Sequence, residues 1–152
     1  MGNIEKRLAE LGLTLPACPV PVANYLTSQD AGELIYVAGQ TAWQPDGTLL
    51  YPGKVGIAVS IEQAYQSARL AALRLISELN ATSDLNKIKI IKLNGYVNAA
   101  PDFGGHPAVI NGASDLLVAV FGENGRHART AVGVGSLPDN ASVEVEIIAQ
   151  RI

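Results

Sequence analysis

The chain has a single cysteine, Cys18, so it can build neither an internal disulfide nor a cysteine-based zinc site. One thiol fits a reducing compartment, and among prolines with no local partner it reads as inert. Histidine is nearly as scarce. His106 and His127 match neither metal-ligand spacing nor a His-Glu-x-x-His helix, so no metal is expected. Charged residues are only 16% of the chain, against roughly 25% in an average domain. The net charge of −3 and pI of about 5.3 disfavour a nucleic-acid surface. No long apolar run exists. Leu116 to Phe121 is the longest, far below the ~20 residues that cross a bilayer. The N-terminus lacks an apolar signal stretch, and Lys6 stands where a myristoylation signal wants Ser or Thr, so the expected location is the cytoplasm. Gly133-x-Gly135 is followed by Pro138 rather than a third glycine, and neither a phosphate loop nor Gly-x-Ser-x-Gly occurs.

What is present is apolar residue, 48% of 152, enough for one domain that needs no staple. So apolar a chain is not disordered. With so little charge to cover a surface, an oligomer is expected.

Asn3 to Gly12 reads as a short amphipathic helix, and residues 1–15 as an N-terminal helical extension. Pro16, Pro19 and Pro21 then force an extended crossing. Asn24 to Ser28 and Glu33 to Ala38 read as strands joined at Asp30-Ala31-Gly32. Ser60 to Leu79 is the strongest helix, opened by a Ser60-x-x-Gln63 capping box. Lys87 to Val97 is an Ile-rich strand and Pro107 to Phe121 a second helix. Arg129 to Leu137 and Ser142 to Ile152 read as a closing hairpin around Pro138-Asp139-Asn140. The order β-β-α-β-α-β-β predicts an α+β domain, a mixed sheet with two helices on one face.

Arg129 draws attention first. Strand alternation puts Arg129, Ala131, Gly133 and Gly135 on one face, a guanidinium beside three very small residues. Such a row could floor a pocket for a small anion, since Arg grips a carboxylate with two parallel donors. It could equally be a surface arginine beside close-packed backbone. Glu144 and Glu146 share a face of the last strand, suited to acid-base work or simply to solvent. In the expected hairpin, Glu144 pairs near Val134 and Arg129 near Ala149. One chain would then hold the two side chains too far apart for one small substrate.

The stretch Ala128-Arg129-Thr130-Ala131-Val132-Gly133-Val134-Gly135-Ser136-Leu137-Pro138, followed by Val143-Glu144-Val145-Glu146, resembles the signature of the RidA (YjgF-type) family. Tyr25 upstream of Gly39-Gln40, and Asn111 early in the second helix, are similar to further family positions. The longer 98–128 segment resembles a long-chain variant subgroup. Ala131 stands where short members often have cysteine, and His127 where proline is common.

The resemblance implies a chorismate-mutase-like fold and a homotrimer with sites between subunits. It implies cofactor-free hydrolysis of enamines and imines to 2-keto acids and ammonia, with small 2-imino and 2-keto carboxylates as ligands. Carried over, Arg129 binds the carboxylate, Gly39 offers backbone, Tyr25 and Asn111 line the pocket, and Glu144 helps place water. A non-catalytic carboxylate binder, or an RNA-directed ribonuclease or translation inhibitor, are the other functions the pattern admits.

Overall fold

The computed structural model describes residues 2–152. Ser60 starts the longest helix, α2 (Ile61–Thr82), and both halves of the capping box form. Gln63 N donates to the Ser60 hydroxyl at 3.1 Å, and Ser60 N donates to Gln63 Oε1 at 3.0 Å. Two donors at the helix start are thereby satisfied. Ala64, Ala68, Ala72, Leu75, Ile76 and Leu79 recur at helical spacing and are buried. Helix α3 (His106–Phe121) carries Pro107 in its first turn, where a missing N–H costs nothing. Gly112 lets α3 approach α2 so closely that a Cβ there would run into the Tyr65 carbonyl.

The sheet comprises β1 (Ser28–Ala31), β2 (Leu34–Gln40), β3 (Ile88–Asn98), β4 (Ala128–Val134) and β5 (Val143–Arg151), in the order β1-β2-β5-β3-β4. Only the β3–β4 pair is parallel. Helices α2 and α3 cover one face. Ile35, Val37, Ile90, Leu93, Val97, Val145, Ile147 and Ala149 are buried beneath them. The other face is open and carries Tyr36, Tyr96, Val132, Glu144 and Glu146. This is the α+β arrangement, a mixed sheet with two helices on one face, that the element order predicts, and it agrees with the chorismate-mutase-like fold the resemblance implies. Helix α1 (Asn3–Glu10) lies against α3, with Leu8 buried and Arg7 Nε donating to the Ala119 carbonyl at 2.8 Å.

Two expectations are corrected. The first strand begins at Ser28, not Asn24, because β2 bulges just where the pairing would continue. Val37 faces Ile147 and Gln40 faces Val145, so Ala38 and Gly39 together oppose one residue of β5. Only the bond from Ala38 N to the Thr27 carbonyl (2.8 Å) extends the ladder, and Tyr25 lies in a loop. Second, β4 and β5 form no hairpin, since β3 lies between them. The inner row of β5, Val143, Val145, Ile147 and Ala149, is apolar and buried and suits the centre of the sheet. The inner row of β4, with Ala131 and Gly133, cannot cover a core and takes the edge. Arg129 therefore stands opposite Leu93 and Glu144 opposite Tyr96, not opposite Ala149 and Val134.

Candidate functional site

Arg129 enters the site from the outer strand of the sheet, on the helix side, because its partner Leu93 belongs to the buried row. Its guanidinium reaches the first three turns of α3. Nη1 donates to Asn111 Oδ1 at 2.8 Å and to Ser114 Oγ at 3.2 Å, and Nη2 donates to the Pro107 carbonyl at 3.4 Å. These partners are neutral oxygens. Among the described residues no carboxylate pairs with Arg129, so its charge is oriented but not neutralised.

Two residues with no site role in the sequence pattern, His127 and Ser114, support it. His127 Nδ1 lies 2.6 Å from the Gly125 carbonyl, an acceptor only, so Nδ1 carries the proton. Nε2 lies 3.0 Å from the Ser114 hydroxyl, whose oxygen also accepts from Arg129. The signal was faint: Ser114 lies one helical turn beyond Asn111, and His127 lies two residues before Arg129, on its strand face.

The other candidates gather elsewhere. Tyr25, Gly39 and Glu144 line a cavity of about 210 Å³ with Trp43, Arg74 and Asp139. The β2 bulge brings Gly39 to Glu144 so closely that a Cβ at Gly39 would collide with the carboxylate. Glycine there is required by space, not by φ. Burial pushes the Glu144 carboxyl above its ordinary 4.5, and the neighbouring Glu146 adds to the effect. Glu146 is itself engaged. It accepts from the Tyr96 hydroxyl at 2.7 Å and from Asn94 Nδ2 at 3.2 Å. The Tyr96 hydroxyl is in turn pushed up to about 12, first by that hydrogen bond.

Arg74, on α2, donates to Gln40 Oε1 at 3.2 Å and to the Trp43 carbonyl at 3.4 Å, contacts that no spacing along the chain signals. It holds the chain that follows Gly39. The loop bearing Tyr25 is tied to α2 as well: Ser77 Oγ donates to the Pro16 carbonyl at 2.6 Å, and the Thr27 hydroxyl donates to buried Glu78. Cys18 points its thiol at the same Glu78 (3.1 Å). Burial, then Glu78, pushes that thiol up to about 11, so it is a poor nucleophile.

The structure thus brings Asn111 to Arg129, and Tyr25 and Gly39 to Glu144, but it keeps the two groups apart. Arg129 and Glu144 lie on opposite faces of the sheet, with β3 between their strands. Among the described residues no three His, Cys, Asp or Glu side chains gather as a metal site. No helix there is long and apolar enough to cross a membrane.

Similar proteins share this architecture along nearly the whole chain. The structure of the protein Atu1372 from Agrobacterium tumefaciens is 44% identical, with 99% of this chain and 93% of that one covered and a TM-score of 0.91. Protein TCP17 of Trypanosoma cruzi is 39% identical over 152 residues, 98% of this chain and 94% of the relative. A 2-iminobutanoate/2-iminopropanoate deaminase of Dermatophagoides farinae is 24% identical over 136 residues, 90% of this chain and 92% of the relative. The family described as "YjgF/chorismate_mutase-like, putative endoribonuclease" matches residues 5–151, and the chain therefore belongs to the YjgF/RidA family.

Proposed function

We propose that the protein hydrolyses reactive 2-imino and enamino acids to 2-keto acids and ammonia in the cytoplasm, at sites completed between the protomers of a homotrimer. The observation that carries this reading is the oriented but unneutralised guanidinium of Arg129, a fitting anchor for a carboxylate. The name of the Dermatophagoides farinae relative supports the reaction class. The separation of Arg129 from the Tyr25–Gly39–Glu144 cavity supports a site supplied by two chains. The open sheet face, with Tyr36 and Val132 exposed, supports an assembly that covers it.

The chemistry asks little of the protein. A protonated imine is already electrophilic at C2, so orientation supplies much of the rate. Arg129 holds the carboxylate. Glu144, as carboxylate, accepts a proton from water as the water oxygen bonds to C2. Glu144 passes that proton to the nitrogen, the C–N bond breaks as the C2 hydroxyl gives its proton to Glu144, ammonia leaves, the C2 oxygen becomes the keto group, and Glu144 releases its proton to solvent. No electrons are exchanged and no cofactor is required. RNA cleavage is the weaker reading: the chain is acidic overall and both ring nitrogens of His127 are engaged in supporting Arg129.

Freshly generated 2-iminobutanoate tests the reading directly. Release of 2-oxobutanoate and ammonia is expected above the spontaneous rate without added metal or cofactor. A rate equal to buffer alone would leave only carboxylate binding.

A further inference from the structure

A cleft of about 590 Å³ lies neither in the Glu144 cavity nor at the Arg129 guanidinium. It opens where the end of β4 meets the start of α3, and Ala99, Pro101, Phe103, His106 and Gly133 form its apolar walls and corner. Gly133 belongs to the same strand face as Arg129 and Ala131. A Cβ at Gly133 would stand 2.5 Å from His106 Nε2, so the imidazole occupies the space that the missing side chain leaves. The rings of Phe103 and His106 meet edge-on, with centroids 5.2 Å apart at 80°, forming a right-angled aromatic corner.

The charge of the cleft is one-sided. Lys54 lies at its end, with Nζ donating to Asn98 Oδ1 (2.9 Å) and the Gly135 carbonyl (2.6 Å), and no acidic residue lines the cleft. Among the described residues no carboxylate pairs with Lys54. The cleft and the anchor are linked through α3: Arg129 Nη2 donates to the Pro107 carbonyl, and Pro107 directly follows His106. Along β4, only Ala131 separates Arg129 from Gly133 on that face. The Arg129 guanidinium, held at the start of α3, and the aromatic corner therefore adjoin along one strand face and one helix end. A four-carbon acid would leave such a volume nearly empty, whereas clefts of this size and lining suit larger, ring-bearing ligands.

We propose that this cleft is a side-chain subsite that directs the protein towards 2-imino and 2-keto acids with aryl side chains. The inference rests on the carboxylate-anchoring reading given above. The ring would enter the corner between Phe103 and His106, where edge-on and offset aromatic contacts are favourable.

Calorimetric titration of the full-length protein with pyruvate and phenylpyruvate tests it, in the wild type and in Gly133→Val, His106→Ala and Arg129→Ala. Phenylpyruvate is expected to bind the wild type about tenfold or more tighter than pyruvate, the gain from burying most of a ring. Gly133→Val places a β-branched side chain on an edge strand where the His106 ring lies, so the ring is driven into the cleft and the aromatic corner is lost. It should erase the phenylpyruvate advantage and leave pyruvate affinity within about twofold, a difference of under 1 kcal/mol. His106→Ala removes one wall of the corner without filling it. It should weaken phenylpyruvate alone, and it carries the test if the valine variant fails to fold. Equal affinities in the wild type, or an unchanged ratio in both cleft variants, would overturn the subsite. If pyruvate binding still depends on Arg129 in that case, the anchoring reading survives. If neither acid binds, both fall.

Discussion

Arg129→Ala is expected to lose about 2–5 kcal/mol of 2-oxobutanoate binding, enough to abolish it at ordinary concentrations. The magnitude follows from the type of contact. A guanidinium offers two parallel donors to a carboxylate, and one shielded from water holds it far more tightly than an exposed pair does. Arg129→Lys should restore little, because an ammonium keeps the charge but lacks the planar fork that Asn111, Ser114 and the Pro107 carbonyl orient. The fold should survive both changes. Arg129 sits on an edge strand, and its loss leaves no buried carboxylate unpaired. Unchanged 2-oxobutanoate affinity in folded Arg129→Ala would contradict the anchoring role.

Glu144→Gln is expected to lower imine turnover by about 10²–10⁴-fold while leaving 2-oxobutanoate binding largely intact, the usual scale for loss of a positioned base. The pH dependence has a definite sign. Burial, and then Glu146, raise the Glu144 carboxyl above 4.5, so the protonated form persists to higher pH than in a free carboxylic acid. Wild-type turnover should therefore rise with pH along a limb displaced above the ordinary carboxylate range, and the glutamine variant should lack that limb. Stability moves the opposite way. A group whose pKa is raised by folding contributes stability that is present below its unfolded value and lost as pH rises through its folded value. Glu144→Gln should thus match the wild type in acid and unfold at a higher temperature near neutrality. A limb that persists unchanged in the variant would assign the base elsewhere.

The elements were legible where one local rule decided them. The Ser60 capping box, the apolar stripe of α2 and the alternation Val143-Glu144-Val145-Glu146 reappear in the fold as the sequence pattern predicts. Pairing was not legible in the same way. Adjacent strands with a turn between them suggest a hairpin, but β4 is joined to β3 through the α3 crossover, and β5 then takes the other edge of β3. The relevant cue was which strand could cover a core: Val143, Val145, Ile147 and Ala149 can, and Ala131 and Gly133 cannot. The β2 bulge was also hidden, because nothing in Val37-Ala38-Gly39-Gln40 fixes which residue is left over. In the candidate site, residue types that carry chemistry were found from the pattern, and their supports were not. Arg74, Ser114 and His127 act through contacts across elements, which no spacing along the chain encodes.

The corrected topology still separates Arg129 from Glu144. They now stand on opposite faces as well as on strands that do not touch. A cyclic trimer joins one surface of each chain to a different surface of the next, which is how two distant groups of one sequence can meet. Mixing Arg129→Ala and Glu144→Ala chains tests this most directly. Each variant alone is expected to be folded and inactive. After co-refolding at equal amounts, roughly a quarter of interfaces in a cyclic trimer pair a native Arg129 with a native Glu144. About that fraction of wild-type 2-iminobutanoate turnover should return. If mass spectrometry shows mixed trimers and no activity returns, while the wild type is active, each site lies within one chain and the shared-site account is wrong.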